Sequence, residues 1–205
     1  MTGYLEVALN QMIDSLGEDK VKAILSSFSC PLNKDVEQFL RSKSIEFDKQ
    51  GISKTHLIFA SYKNEPQLVG YFTLANKYIT INNKRKLSNS IRKRIRKFGS
   101  YNDDLKRFEI SAPLIAQLGK NYSNNYNQLI SGDELLKIAL DNVKKVQQIV
   151  GGKFVYLECE NKPKLVDFYK DNGFVDMGER KLDRDETGVL QGEYLIQMLR
   201  YLKDE

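Results

Sequence analysis

Leu165-Val166-Asp167-Phe168-Tyr169-Lys170-Asp171-Asn172-Gly173-Phe174 is the stretch on which the reading of this chain turns. It reads as a short helix with an apolar stripe and a tyrosine near its end. Asn172-Gly173 supplies a left-handed stop that glycine adopts without steric cost. Phe174 and Val175 then restart an apolar strand. The preceding run, Phe154-Val155-Tyr156-Leu157-Glu158-Cys159-Glu160, is β-rich. Strand, loop, helix, Tyr, Gly-Phe, strand is a unit that fixes one phenol beside a sheet. A Phe-Tyr pair near a helix end is also ordinary core packing, its hydroxyl bonded to backbone or water.

Upstream, Ser131 or Asp133 opens a helix running to about Val150, with Leu135, Leu136, Ile138, Ala139, Val143 and Val146 inward. It lies between a strand over residues 112–119 and the strand that starts at Phe154, which predicts a right-handed parallel crossover. Asn121 to Gln128 is a polar loop. Further back, strands over 55–62 and 68–75 flank a polar turn and form an antiparallel hairpin. Asn33 caps a helix carrying Val36, Phe39, Leu40 and Ile45, and Gly51 ends it. Residues 4–16 have helical spacing, and 21–25 are a helical turn or a short strand. After Phe174 come a strand, a turn around 183–188 and a last strand over 194–199. This mixed order of elements excludes a Rossmann fold.

The 205 residues, 41% hydrophobic and 29% charged, suit one globular α/β domain over 1–205. No apolar run approaches the roughly 20 residues of a membrane span. Met1-Thr2-Gly3-Tyr4 has neither the basic start nor the apolar core of a secretory signal, so none is expected. Cys30 and Cys159 are far apart without metal spacing, so free thiols and a cytoplasmic location are expected. The single histidine, His56, argues against a multi-histidine metal site, and no metal is expected. Net charge is +5, and Lys84, Arg85, Lys86, Arg92, Lys93, Arg94, Arg96 and Lys97 contain no acid between them. Leu87, Ile91 and Ile95 at spacing i, i+4, i+8 make that stretch an amphipathic helix with a cationic outer face. It lies in a basic insert over 77–107, and such a cluster implies an anionic partner.

The unit around Tyr169, with the parallel crossover before it, resembles the GNAT superfamily of N-acetyltransferases. Phe28-x-Cys30 before a helix, Ser53-x-Thr55 at a strand entry and Val69-Gly70-Tyr71 in a strand resemble one branch, which includes toxins that acetylate aminoacyl-tRNA. Agreement runs from about Phe28 to Leu199, and residues 1–27 form an extension without a counterpart. The resemblance implies a mixed, mostly antiparallel sheet with a central parallel pair and helices on both faces. It implies acetyl-CoA held by main-chain groups of Leu118, Gly119 and Lys120 and by the loop Asn127, Gln128, Leu129, Ile130, Ser131 and Gly132. Asn161 and Phe168 would be further cofactor contacts.

The family's phosphate loop commonly reads Gln/Arg-x-x-Gly-x-Gly/Ala, and this chain has Asn127-x-x-Ile130-x-Gly132. Ile130 puts a side chain where close backbone approach is wanted. Asp133 would repel a phosphate placed close by. Tyr169 is implied as the acid that protonates the leaving thiolate, while Glu158 and Glu160 are strand-end carboxylates that could act as base through water or simply be solvated. Arg92, Arg94 and Arg96 would grip tRNA phosphates. An antitoxin protein and a homodimer are further implied partners. The alternatives are acetylation of a small-molecule or protein amine, and a non-catalytic binding module with a degenerate acetyl-CoA loop.

Overall fold

Antiparallel pairing begins at the very start of the chain. In the computed structural model, which describes residues 3–82, 87–182 and 194–203, Tyr4–Ala8 is a strand, β1. In chain order there follow α1 (Leu9–Leu16), α2 (Glu18–Ser26), α3 (Lys34–Gln38), a π-helical turn (Phe39–Lys43) and α4 (Ser44–Lys49). Then come β2 (Lys54–Tyr62), β3 (Glu65–Asn82), α5 (Asn89–Phe98), β4 (Ser100–Asn102) and β5 (Arg107–Lys120). A 3-10 segment (Ser123–Gln128) leads to α6 (Gly132–Val150), β6 (Phe154–Glu160), α7 (Pro163–Asp171), β7 (Val175–Lys181) and β8 (Tyr194–Tyr201). Lys84, Arg85 and Lys86, and the turn expected around 183–188, lie outside the described residues.

The strands are hydrogen-bonded in the order β1-β2-β3-β5-β6-β8-β7, with β4 paired to β5. The sheet is mostly antiparallel, and β5 and β6 are parallel with Leu114 opposite Tyr156. This is the mixed sheet with a central parallel pair that the GNAT resemblance implies. The chain divides into two compact units, 1–75 with 115–141 and 76–114 with 142–205. β3, β5 and α6 each run through both.

In the first unit, helices α1 to α4 cover a core of Leu9, Val21, Leu25, Phe28, Val36, Leu40, Leu57 and Tyr71. Successive strand residues face opposite ways. Tyr71 joins this core, while a Cβ on its neighbour Gly70 would lie 3.2 Å from Leu135 of α6. Helices therefore pack on both faces of this part of the sheet. The Asn33 side chain caps α3, accepting from the amides of Asp35 (3.0 Å) and Val36 (3.3 Å). Such a cap contributes about 1 kcal/mol.

In the second unit, Ile79, Ile81, Ile110, Ala112, Phe154, Tyr156, Met177 and Leu199 form a separate core. Ile95 of α5 is buried in it, as its helical spacing predicts. Gly173 follows α7 at φ 77°, the left-handed conformation expected of it.

The expected helix over 4–16 is corrected. Its first part pairs with β2, from Tyr4 opposite Ala60 to Ala8 opposite His56, and only Leu9–Leu16 is helical. Residues 21–25 are settled as helix within α2. β3 runs on past Ala75 to Asn82, and β5 begins at Arg107 rather than at 112.

Candidate active site

The end of β5 is shaped by what a glycine leaves out. Gly119 is buried, and a Cβ built there would overlap Val36 Cγ1 and reach Phe28 and Tyr71 at 3.5 Å. The Tyr71 hydroxyl donates to the Val36 carbonyl at 2.6 Å, and its ring meets Phe28 edge-on. Thus Phe28, Val36 and Tyr71, from separate stretches, close around one backbone position. The Phe28–Cys30 turn is tied down in turn by Glu37. Its carboxylate accepts from the Cys30 amide (2.7 Å) and the Ser29 hydroxyl (3.3 Å) and pairs with Arg41 (3.4 Å).

The Cys30 amide, chiefly, and then Arg41 and Lys34 hold the Glu37 carboxyl below the usual carboxylate range against its burial. A depressed folded-state pKa contributes stability above the unfolded value of about 4.3, and that stability is lost as pH falls through the folded value. The thermal midpoint should therefore drop as pH is taken from about 6 to about 3. Glu37→Gln should flatten part of that dependence. An identical acid profile in the variant would take Glu37 out of it.

Lys120 follows Gly119. Its ammonium donates to the carbonyls of Asn127 (2.9 Å) and Ile130 (3.1 Å), so strand end and loop are joined by a side chain. Ile130 itself is a core residue, 1% exposed, which accounts for an isoleucine in place of glycine. Ser131 caps α6 as expected, its hydroxyl accepting from the Glu134 amide at 3.1 Å. Glu134 reaches back to accept from the Ser131 amide at 2.8 Å. This reciprocal pair is a capping box. Tyr4 of β1 adds a bond from its hydroxyl to the Leu129 carbonyl (3.0 Å) and a side-chain bond to Glu134. The Ser131 amide and hydroxyl, then Tyr4, and with them Lys120, hold the Glu134 carboxyl below its ordinary range.

The chemistry here suits an anion in part. Gly132, as the first helical residue, carries an amide without a partner inside the helix, at the positive end of the dipole. Lys120 adds a positive charge, whereas Glu134 already sits at the Ser131 amide. Asn127, Gln128, Leu129, Ile130, Ser131, Gly132, Leu118, Gly119 and Lys120 all fall in the first unit.

Tyr169, Phe168 and Asn161 fall in the second unit. Val166 and Tyr169 form the buried side of α7. The Tyr169 ring is seated edge-on between Phe168 (5.0 Å) and Phe174 (5.7 Å). Among the described residues its hydroxyl has no protein hydrogen-bond partner, and it is left open to water. Burial, chiefly, and the neighbouring Cys159 push this phenol well above its ordinary range. Cys159 is itself pushed up to about 12, by burial first and by Asp176 and Glu160 after it, and remains a thiol. Asn161 is exposed just after β6.

The two strand-end carboxylates are not simply solvated. Glu158 accepts from the Arg180 guanidinium (2.6–3.0 Å) and from Gln197 (3.1 Å). Glu160 is buried and pairs with Lys162 at 2.7 Å. The arginines of α5 divide their tasks. Arg92 Nε donates to the Leu87 carbonyl at 3.3 Å, and Arg94 lies 4.3 Å over the Tyr201 ring. Arg96 is exposed, without an ion pair among the described residues.

Sequence reasoning missed Glu134 and Tyr4. The first was legible, because Ser131-x-x-Glu134 is the capping-box pattern. The second had no local signal, since Tyr4 and Leu129 are 125 positions apart.

A mixed, mostly antiparallel sheet with one parallel pair is the GNAT-like class of fold. Comparison with solved structures agrees. The chain is similar to the toxin AtaT complexed with acetyl-methionyl-tRNAfMet, at TM-score 0.62 and 17% identity over 95% of this chain and 93% of that one. It is similar to AtaTR bound with acetyl-CoA, at TM-score 0.55 and 19% identity over 97% and 94% of the two chains. A Tyr-to-Phe variant of KacT matches at TM-score 0.59 and 14% identity over 96% and 95%. These likenesses establish the fold. No protein-family model and no curated protein matches the chain.

Proposed function

We propose that this protein is an N-acetyltransferase that moves the acetyl group of acetyl-CoA to the α-amine of an aminoacyl-tRNA. The observation that carries this reading is Tyr169. A buried phenol, held neutral and without a hydrogen-bond partner among the described residues, is a proton donor kept in reserve. Its place after a parallel crossover is that of the acid in the GNAT resemblance. The fold supports the reading too, since it is shared with AtaT, a structure of which is complexed with acetyl-methionyl-tRNAfMet.

In this mechanism Leu118, Gly119 and Lys120 offer main-chain groups to the pantetheine arm. Gly132 and Lys120 attract the diphosphate. Bound acetyl-CoA supplies an activated acetyl group and a thiolate leaving group. As the neutral amine's nitrogen would bond to the acetyl carbon and the C–S bond break, Tyr169 would give its proton to sulfur, and the proton shed by the nitrogen would return through water to the Tyr169 phenolate. The basic side chains of α5, Arg96 above all, hold RNA phosphates. Other features go with this function: a cytoplasmic location and an antitoxin partner of the kind AtaR is to AtaT. Among the described residues no helix is long and apolar enough to cross a membrane.

One observation favours the second reading, a binding module that does not hold acetyl-CoA. The Ser131–Glu134 capping box occupies an amide that a diphosphate would use. Calorimetry with acetyl-CoA decides between the two. Binding, followed by transfer of labelled acetyl to charged tRNA in preference to polyamines or peptide amines, is the expected result. RNA binding should weaken steeply between low and moderate salt as counterions are released. A salt-independent binding constant would remove the phosphate contacts, and absence of acetyl-CoA binding would leave the module.

A further inference from the structure

Beside α5 lies a cavity of about 390 Å³ lined by Arg96, Gly99, Tyr101 and Phe108. Its construction is specific. Ile95 is fixed in the core, which sets the rotation of α5 and leaves Arg96 on the outer side. Gly99 lets the chain turn straight from helix into β4, because a Cβ there would stand 2.8 Å from Ile110 Cγ1. β4 then pairs with β5 so that Tyr101 lies opposite Phe108. The two rings are 4.8 Å apart at 54°, and Tyr101 is 37% exposed.

The cavity thus has one aromatic wall, made of two touching rings, and a guanidinium in its lining. Within the second unit, nearby Arg94 is stacked on Tyr201 and Arg107 is held by Glu109 at 2.8 Å. Arg96, by contrast, has no ion pair among the described residues. α5 itself carries Arg92, Lys93, Arg94, Arg96 and Lys97 and no acid.

We infer that this cavity receives one unstacked nucleobase of a single-stranded RNA segment, stacked on the exposed face of Tyr101 beside Phe108, while Arg96 takes the adjoining phosphate. Aromatic faces accept any base, and a guanidinium can both stack and pair with phosphate. Charge favours nucleic acid over a peptide, since an apolar side chain would gain nothing from the surrounding cations. Asp103 and Asp104 in the β4–β5 turn repel phosphate, so the strand's backbone belongs on the α5 side of the base. The inference rests on the charged-RNA reading above and adds a site to it.

The test uses the full chain and a labelled single-stranded RNA oligonucleotide, followed by fluorescence anisotropy. Tyr101→Ala should weaken binding about tenfold, by the same factor at low and moderate salt, because stacking releases no counterions. Tyr101→Phe should bind as the unaltered protein does. Arg96→Ala should weaken binding and flatten the salt dependence by about one phosphate. A matched RNA duplex, which has no base to give, should bind less tightly than the single strand. Unchanged thermal melting shows that each variant is folded. Full affinity in Tyr101→Ala, as expected if the cavity serves an aromatic side chain of a protein partner, overturns the inference, and so does equal affinity for the duplex. If the unaltered protein binds RNA but Tyr101→Ala binds equally well, only the cavity's role is lost. If the unaltered protein binds no RNA, the charged-RNA reading falls with it.

Discussion

Replacing Tyr169 by Phe should lower turnover by about a hundredfold or more and leave acetyl-CoA binding intact. The ring keeps its edge-on contacts with Phe168 and Phe174, so the packing of α7 survives. The hydroxyl has no hydrogen-bond partner among the described residues, so removing it orphans nothing there. On the proposed function the loss should therefore fall on the step in which sulfur takes a proton. It belongs in kcat rather than in affinity, because the proton moves only as the C–S bond breaks. Single-turnover transfer of labelled acetyl, with calorimetry for binding, separates the two. Burial raises the phenol above its ordinary value of about 10. The donor form is thus fully populated at neutral pH, and ionisation of Tyr169 should cause no loss of rate until well into the alkaline range. Turnover equal to that of the unaltered protein would remove Tyr169 from the reaction.

Gly119→Ala should destabilise the first unit by about 1–3 kcal/mol, the usual cost of overpacking a filled core. The added methyl meets Val36 Cγ1, which is fixed on α3, and the rings of Phe28 and Tyr71, which brace each other. In a chain of this length that is a fall of several degrees in thermal midpoint, on the order of 2–4 °C per kcal/mol. Pairing it with Val36→Ala should recover much of the loss, since the second change removes the atom in the way. Thermal melts of the two single variants and the double variant measure that coupling. Simple additivity would mean that the methyl is accommodated elsewhere.

The same contacts explain what the sequence could disclose. Phe28, Tyr71 and the Ser53-x-Thr55 entry carried the resemblance, yet none of them is placed in the chemistry. Phe28 and Tyr71 pack around Gly119, and Thr55 shares a buried hydrogen bond with Thr73 at 2.9 Å. Short shared words were legible because a tight backbone position constrains every side chain around it. The Asn33 cap, the β2–β3 hairpin, the crossover through α6 and the stop at Gly173 were legible for local reasons. Each is written in residues that are neighbours along the chain.

Other features lacked such a mark. Leu9 begins α1 after Ala8, which makes no side-chain cap. With nothing to signal the boundary, Leu5, Ala8, Met12, Ile13 and Leu16 read as one helix, and the edge strand went unseen. The tether from Lys120 to the loop carbonyls depends on a turn of the chain between residues 121 and 130, and composition does not determine it. The burial that raises Tyr169 comes from ring packing that helical spacing suggests, but spacing cannot say whether the hydroxyl finds a partner.

The capping box at α6 has a consequence for concentration. On the proposed function an arriving diphosphate would have to evict a carboxylate that the protein has already placed on the Ser131 amide, where Lys120 and Tyr4 help to keep it. Occupancy would then follow a contest between an internal anion and an external one, and the seat would fill only where the external anion is abundant.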